Sequence, residues 1–93
     1  MELREYEVNF EGIDSSSKVH DYFSEVFEFP QWYGRNLDAL YDCLTSMPPC
    51  KISLVNVEYL YRLGEYADKV LDVFRDAARD TGEIELIEVK EGK

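Results

Sequence analysis

Three stretches of the chain carry the apolar and polar pattern of β-strands. From Tyr6 to Phe10 every second residue is apolar and the residues between are polar, which is the period of a half-buried strand. The segment from Ile52 to Val57 is short and rich in β-branched residues, so a mostly buried strand is predicted there. A third strand is predicted from Ile84 to Val89.

Two stretches carry the period of amphipathic helices. In the first, apolar residues fall at i, i+3, i+4, i+7 and i+8 from Val19 to Phe27, and Ser17 is the expected N-cap. The second runs from Ala67 to Ala78, and Gly82 follows it where a C-terminal cap residue belongs.

Two shorter helical segments are also predicted. Asn36 is a good N-cap, so a helix should begin at Leu37, and leucines follow at i, i+3 and i+7 as one apolar stripe. The segment from Val57 to Leu63 has room for one or two helical turns, which Gly64 would end.

Strands separated by helices predict crossover connections and a parallel sheet. Right-handed crossovers in the order 1-2-3 place every helix on one face of the sheet. We therefore predict a two-layer α/β fold, with a three-stranded parallel sheet and three to four helices packed on one face. The length of 93 residues predicts a single domain over residues 1–93.

The formal net charge of −10 narrows the classes of partner. Such a surface repels phosphate, so we expect binding neither to nucleic acid nor to anionic membranes. A basic protein partner is favoured, because complementary charge speeds association. Acidity that serves solubility alone is the alternative.

The chain start and the cysteines indicate a cytoplasmic protein. No apolar run typical of a signal peptide follows Met1, and no stretch is apolar enough for a membrane span. Cys43 and Cys50 are too few for a disulfide framework and lack metal-site spacing, so both are expected to be reduced.

A polar stripe on the short helix breaks a local rule of helix stability. Asp38, Asp42 and Thr45 fall at i, i+4 and i+7, and like charges at i, i+4 destabilise a helix by roughly 0.2–0.5 kcal/mol. Trp32 and Tyr33 precede the helix in a loop, where they either cap the core or face a partner. An ordinary solvated face is one interpretation of the stripe, and a rigid acidic edge for binding is the other.

Catalysis is not expected from these residues. His20 is the single histidine, and we expect it at the surface because the apolar face of its helix does not include it. Two aspartates on an open helix face have no desolvation to separate their pKa values, and no further oxygen ligands converge on a metal. We expect no enzyme, cofactor or metal; a small metal-dependent hydrolase remains a rival.

The segment from Pro30 to Thr45 resembles the signature of barstar-type ribonuclease inhibitors. The similarity lies in Tyr33-Gly34, in the run Asn36 to Leu40 and in the run Asp42 to Thr45, with a weaker similarity from Val70 to Ala77. It implies a protein that inhibits a ribonuclease by placing carboxylates where the enzyme holds RNA phosphate, and it implies the same two-layer fold.

The resemblance assigns roles to individual residues. It implies that Asp42 enters the phosphate site as the main anchor and that Asp38 pairs with a basic residue at the mouth of the active site. It also implies that Trp32 packs flat on the catalytic histidine of the enzyme. The expected partner-binding residues are Asp42, Asp38, Trp32, Tyr33, Gly34, Asn36, Tyr41, Thr45 and Asp76.

Two residues depart from the pattern that the resemblance implies. Arg35 puts a positive charge in the loop, and Met47 stands where an aromatic residue is expected. They affect the rim of the predicted surface and leave the edge of Asp38 and Asp42 unchanged.

The function that we predict is stoichiometric inhibition of a small, basic, secreted ribonuclease by a cytoplasmic protein. We expect a 1:1 complex and a monomer when the protein is free. The alternative is an acidic interaction or immunity module against a different basic toxin or partner.

Overall fold

A three-stranded parallel sheet forms one layer of the protein. The computed structural model describes residues 3–89, so the prediction of one domain over residues 1–93 extends beyond the described residues at both ends. The strands are β1 (Arg4–Asn9), β2 (Cys50–Val55) and β3 (Ile84–Glu88), in the order β1-β2-β3. The predicted order and the parallel pairing of both neighbours are confirmed.

Four helices form the second layer. They are α1 (Ser16–Phe27), α2 (Leu37–Thr45), a 3₁₀ helix (Val57–Leu63) and α3 (Glu65–Thr81). The predicted two-layer α/β fold is confirmed, including the short helical segment before Gly64.

The sheet buries one face and leaves the other partly open to solvent. In the central strand Cys50, Ile52 and Leu54 are buried, whereas the residues between them are only partly buried. On the open face Lys51 lies in register with Glu5 and Glu85, one on each neighbouring strand. Charged side chains along β1 also discourage pairing of this edge strand with another chain.

Helix ends follow cap chemistry, and one predicted cap is corrected. The Asn36 side chain accepts a hydrogen bond from the Ala39 amide, and Gly82 has the left-handed backbone (φ 66°) that ends α3, so both predicted caps are confirmed. The prediction of Ser17 as N-cap of α1 is wrong. Ser15 is the cap, because its hydroxyl accepts a hydrogen bond from the Lys18 amide at 3.2 Å.

The burial of His20 is the largest difference between the structure and the prediction. We expected a surface histidine, but only 2% of the residue is exposed. Its Nδ1 lies 2.7 Å from the Tyr33 hydroxyl and its Nε2 lies 2.6 Å from the Tyr66 hydroxyl. Hydrogen bonds at both ring nitrogens make burial of a polar ring tolerable.

The two bonds of His20 join three parts of the chain. His20 lies on α1, Tyr33 lies in the loop before α2, and Tyr66 lies on α3. Burial lowers the pKa of His20 below its usual value of 6.5, and the nearby Arg35 lowers it further. The folded protein therefore favours the neutral ring, with one nitrogen donating and the other accepting.

Acidification should therefore destabilise the protein through His20. The unfolded chain binds a proton at His20 near pH 6.5, whereas the folded chain binds it only at lower pH. The contribution of His20 to stability is complete above pH 6.5 and is lost as the pH falls towards the lowered pKa. One proton sets a maximum slope of about 1.4 kcal/mol per pH unit.

The measurement is urea unfolding at a series of pH values between about 7.5 and 5.5, a window above the carboxylate pKa values. His20→Gln is the comparison variant, because its amide does not titrate. We expect a decline in unfolding free energy for the natural chain and a flatter profile for the variant. Parallel profiles would show that His20 does not contribute the slope.

Candidate functional site

A tight turn presents Trp32 to solvent. The Tyr33 amide donates a hydrogen bond to the Pro30 carbonyl at 2.9 Å, which closes the turn from Pro30 to Tyr33. Phe29 anchors the loop. Its ring stacks on the Phe27 ring with a centroid distance of 5.3 Å, and its centroid lies 4.8 Å from that of Tyr33. Trp32 lies between these anchors and is 78% exposed. The loop therefore holds a large apolar side chain outside the core.

The Tyr33 side chain points into the core, unlike that of Trp32. It is only 5% exposed, and its hydroxyl is bonded to His20. Burial raises the pKa of the phenol above its ordinary value, so the hydroxyl stays protonated at neutral pH. Of the two interpretations, capping the core describes the Tyr33 side chain and exposure describes Trp32. A contact between Tyr33 and a partner stays a prediction.

Gly34 and Asn36 shape the start of α2. A Cβ at position 34 would lie 3.2 Å from the Ala39 Cβ and 3.3 Å from the Asn36 Nδ2, closer than side-chain atoms usually pack. The Asn36 side chain accepts from the Ala39 amide at 2.7 Å and donates to the Gly34 carbonyl at 3.3 Å. Both residues are exposed, but their contacts within the loop mainly set its path into the helix.

Asp38 and Asp42 lie exposed on α2. Asp38 is in the first helical turn, where the positive end of the helix dipole favours a carboxylate. Neither carboxylate forms an ion pair or a side-chain hydrogen bond with any residue in the range 3–89. The two side chains form an anionic edge that the described part of the chain leaves uncompensated.

The carboxylates of α3 are arranged differently. The guanidinium of Arg79 lies 3.1 Å from the nearest carboxylate oxygens of both Asp76 and Asp80. The Tyr41 hydroxyl donates to the other oxygen of Asp80 at 2.6 Å, which raises the pKa of Tyr41. The hydrogen bonds from Tyr41 and Arg79 also lower the pKa of Asp80. Asp76 and Tyr41, both expected at the partner surface, are thus already engaged.

Thr45 also uses its side chain locally. Its hydroxyl donates to the Tyr41 carbonyl at 2.9 Å and lies 3.2 Å from the Asp42 carbonyl. These bonds run back along the last turn of α2, as is common for a threonine in a helix. A contact between Thr45 and a partner remains a prediction.

The Arg35 side chain contacts α1. Its guanidinium lies 2.7 Å from the Asp21 carboxylate and 3.1 Å from the Ser17 hydroxyl. The residue has a left-handed backbone (φ 58°), which costs a non-glycine residue roughly 1–2 kcal/mol. The ion pair with Asp21 offsets the positive charge, so Arg35 does not neutralise the edge formed by Asp38 and Asp42.

An open groove runs beside Asp42. We call it the Trp32 groove; its volume is about 560 Å³. Most of its walls are apolar, and Asp42 and Glu28 are the acidic residues among those that line it. The lining residues are Phe27, Glu28, Phe29, Pro30, Trp32, Asp42, Cys43, Ser46, Met47 and Pro48. Trp32, an aromatic residue, and Asp42, a charged residue, therefore border the same groove.

The described residues contain no metal cluster and no membrane helix. Within 3–89, no three His, Cys, Asp or Glu side chains converge in a way that would hold a metal ion. No helix in the same range has the length and apolar character needed to cross a membrane. The chemistry that this surface offers is charge and flat apolar contact.

The structure adds residues that the sequence interpretation left out. Asp80 and Arg79 belong to the network around Tyr41, and Glu28 and Phe29 belong to the groove. In the sequence, the spacing of Asp76 and Asp80 at i, i+4 indicates that both carboxylates lie on the same face of α3, and Arg79 lies between them in sequence. The groove depends on how the loop packs against the end of α2, for which the sequence pattern holds no signal.

Comparison with known proteins agrees with the family resemblance of the loop and α2. Over 75 residues the chain is 43% identical to a Bacillus subtilis (strain 168) protein named "Putative ribonuclease inhibitor YrdF", covering 77% of this chain and 79% of that protein. The family model described as "Barstar (barnase inhibitor)" matches residues 3–89. The chain therefore belongs to the barstar family.

Proposed function

We propose that the protein is a stoichiometric inhibitor of a small, basic, secreted ribonuclease and that α2 blocks the active site of the enzyme. Membership of the barstar family and the name of the Bacillus relative point to a ribonuclease inhibitor rather than an enzyme. The observation that carries the mechanism is the exposed edge of Asp38 and Asp42, which no cation from residues 3–89 neutralises.

Carboxylates on a helix are suitable substitutes for RNA phosphate. A ribonuclease binds phosphate through Arg, Lys and His side chains, and these groups also donate charge-assisted hydrogen bonds to a carboxylate. Burying a carboxylate is costly unless its partners are already in place. An active site that binds phosphate supplies those partners. Asp42 and Asp38 would therefore gain, on binding, the cationic hydrogen-bond donors that they lack in the free protein.

Rigidity strengthens this proposal. Both aspartates lie on α2, whose first turn is capped by Asn36 and whose buried face includes Leu40 and Leu44. A carboxylate on a packed helix loses little conformational freedom when a partner binds. Trp32 lies at the tip of a turn anchored by Phe29 and Tyr33, and it offers an exposed flat apolar face.

We further propose that the protein acts in the cytoplasm, as a monomer that forms a 1:1 complex, and protects the cell that makes the ribonuclease. The net charge of −10 supports a basic partner. The other candidate partner, a different basic toxin, shares this charge argument, and inhibition assays against small basic ribonucleases separate the two.

Asp42→Ala should weaken inhibition strongly. Loss of a carboxylate that enters a cationic site should cost at least about 2 kcal/mol, or roughly thirtyfold in the inhibition constant. The control is Glu85→Ala, which removes the same charge from the exposed face of the sheet and should cost less than about 0.5 kcal/mol.

The assay is inhibition of RNA cleavage by a panel of small basic ribonucleases, with circular dichroism to show that both variants fold. Equal losses for Asp42→Ala and Glu85→Ala would mean that only net charge matters, and they would exclude Asp42 as the anchor. No inhibition of any ribonuclease by the natural chain would favour a different basic toxin.

Asp76→Ala should have a smaller effect than Asp38→Ala. Asp76 is already paired with Arg79, so a partner gains access to it only by displacing that guanidinium, whereas Asp38 has no such pair among the described residues. Exposed ion pairs contribute about 0–1 kcal/mol, which sets the scale of the expected Asp76 effect. The same inhibition assay ranks the two variants; a larger loss for Asp76→Ala would place the binding surface on α3.

Association should slow as salt concentration rises. The Debye length falls from about 10 Å at 0.1 M to about 3 Å at 1 M, so long-range attraction between an acidic inhibitor and a basic enzyme is screened. We expect the association rate constant to fall by about tenfold or more between 50 mM and 500 mM NaCl in stopped-flow measurements. Dissociation should change much less, and a flat association rate would contradict electrostatic steering.

A further inference from the structure

The buried ring of His20 contacts the loop that presents Trp32. We propose that His20 is a positioning residue for the proposed binding surface. Its unprotonated Nδ1 accepts the hydrogen bond of the Tyr33 hydroxyl and so holds Trp32 in its exposed position, and a proton on Nδ1 releases the loop. This inference rests on the proposed function, because it names a control of the same surface.

The Tyr33 hydroxyl has one acceptor for its proton. Tyr33 is 5% exposed, and among residues 3–89 its hydroxyl has no hydrogen-bond partner other than His20 Nδ1 at 2.7 Å. A buried hydroxyl that donates no hydrogen bond is costly, so the phenol proton points to Nδ1. Nδ1 therefore carries no proton in the folded protein, because a nitrogen that accepts this hydrogen bond cannot also donate one.

The Tyr66 hydroxyl has the complementary role. In a neutral imidazole the second nitrogen carries the proton, so Nε2 of His20 donates to the Tyr66 oxygen at 2.6 Å. Tyr66 is only partly buried, so its own hydroxyl proton can point towards water. The difference in burial between the two phenols thus assigns the proton to Nε2 and directs the accepting nitrogen towards the loop.

Charges near the ring act in opposite directions. Burial is the largest effect on the pKa of His20 and lowers it; the charge of Arg35 lowers it further, and the charge of Asp21 raises it. Arg35 and Asp21 are paired with each other at 2.7 Å, so burial dominates the response to pH. The titratable and charged groups that face the ring or its two phenols are Asp21 on α1, Tyr33 and Arg35 in the loop, Cys43 on α2 and Tyr66 on α3.

Protonation of Nδ1 affects the loop rather than α3. A protonated Nδ1 donates to the Tyr33 oxygen, so the Tyr33 hydroxyl proton loses its one acceptor among the described residues. The bond from Nε2 to Tyr66 is kept, since Nε2 donates in both states. The Tyr33 hydroxyl can donate to water only when the ring leaves the core, and Trp32 is the preceding residue in the turn. Lower pH therefore favours an open loop.

The first measurement identifies the nitrogen that carries the proton. Long-range ¹H–¹⁵N correlation NMR of the natural chain at about pH 7.5 distinguishes the two neutral forms of the His20 ring. We expect a protonated Nε2 and an unprotonated Nδ1. The opposite tautomer would overturn the inference.

Two variants that do not titrate separate the two nitrogens. The amide of His20→Asn lies near the position of Nδ1 and offers Tyr33 an acceptor, whereas the amide of His20→Gln reaches the position of Nε2. The reporter is hydrogen exchange of the Tyr33 amide, which donates to the Pro30 carbonyl at 2.9 Å in the closed turn. At about pH 7.5 we expect its protection factor to fall at least about tenfold in His20→Gln and less than about threefold in His20→Asn.

Acid should open the loop of the natural chain but not that of His20→Asn. An imidazole in the open loop binds a proton near the usual pKa of 6.5, whereas the closed loop binds it only at lower pH. Between about pH 7.5 and 5.5 the protection factor of the Tyr33 amide should fall about threefold or more in the natural chain and stay constant in the variant. A weak dependence of this exchange on urea shows that the opening is local.

Equal protection of the Tyr33 amide in the two variants, or greater protection in His20→Gln, would overturn the inference. Thermal unfolding shows whether each variant is folded; if neither folds, the tautomer of the natural chain decides. In ribonuclease inhibition His20→Gln should be at least about threefold weaker than His20→Asn, because only molecules with a closed loop are competent to bind.

The proposed function fails separately from this inference. If no ribonuclease is inhibited while the tautomer and exchange results hold, His20 positions the loop and the proposed function is wrong. If inhibition depends on Asp42 but the Tyr33 amide is equally protected in the two variants, the proposed function holds and the role of His20 is wrong.

Discussion

The hydrogen bonds of His20 to Tyr33 and Tyr66 hold together the parts of the chain that form the proposed binding surface. They tie α1 to α3 and fix the loop between α1 and α2 from the inside. With Tyr33 held in the core, the preceding residue of the closed turn, Trp32, is directed outward. The exposed surface thus depends on a neutral imidazole that lies beneath it.

Charge is distributed unevenly over this surface, and the unevenness has a functional consequence. Asp21 on α1 and three aspartates on α3 pair with Arg35, Arg75 and Arg79, whereas Asp38 and Asp42 on α2 have no partner among residues 3–89. Exposed pairs contribute little to folding, so their absence on α2 costs the protein little. The same absence leaves Asp38 and Asp42 free to bind cations of another protein. Besides this, the repulsion between Asp38 and Asp42 on α2 costs only roughly 0.2–0.5 kcal/mol, so exposing both carboxylates for binding lowers stability little.

Local periodicity predicted most of the architecture, because strands and amphipathic helices are determined by which residues face the core. The order of the strands and the caps at Asn36 and Gly82 followed from the same pattern and from known preferences of connections. The cap of α1 was misplaced because Ser15, Ser16 and Ser17 are equally good by residue type. Which of them caps the helix depends on the path of the chain after β1, and in the structure it is Ser15.

The features of the site that the sequence pattern did not reveal have a different origin, since they concern contacts between distant parts of the chain. Trp32 and Tyr33 are adjacent aromatic residues, and the sequence pattern does not reveal which one enters the core. The answer depends on His20, which is 13 positions away. The pairing of Arg79 with two carboxylates, and of Tyr41 with Asp80, likewise depends on how α2 packs against α3. The exposure of Asp38 and Asp42 followed from local helix geometry alone.

The most direct test of the central claim is competition between this protein and a nucleotide for the ribonuclease. If Asp42 occupies the phosphate site, binding of the inhibitor and of 3′-guanylate to the enzyme must be mutually exclusive. The account predicts that the apparent dissociation constant of the inhibitor, measured by surface plasmon resonance, rises in proportion to the nucleotide concentration once the nucleotide exceeds its own dissociation constant. A ternary complex that holds enzyme, nucleotide and this protein together would contradict it.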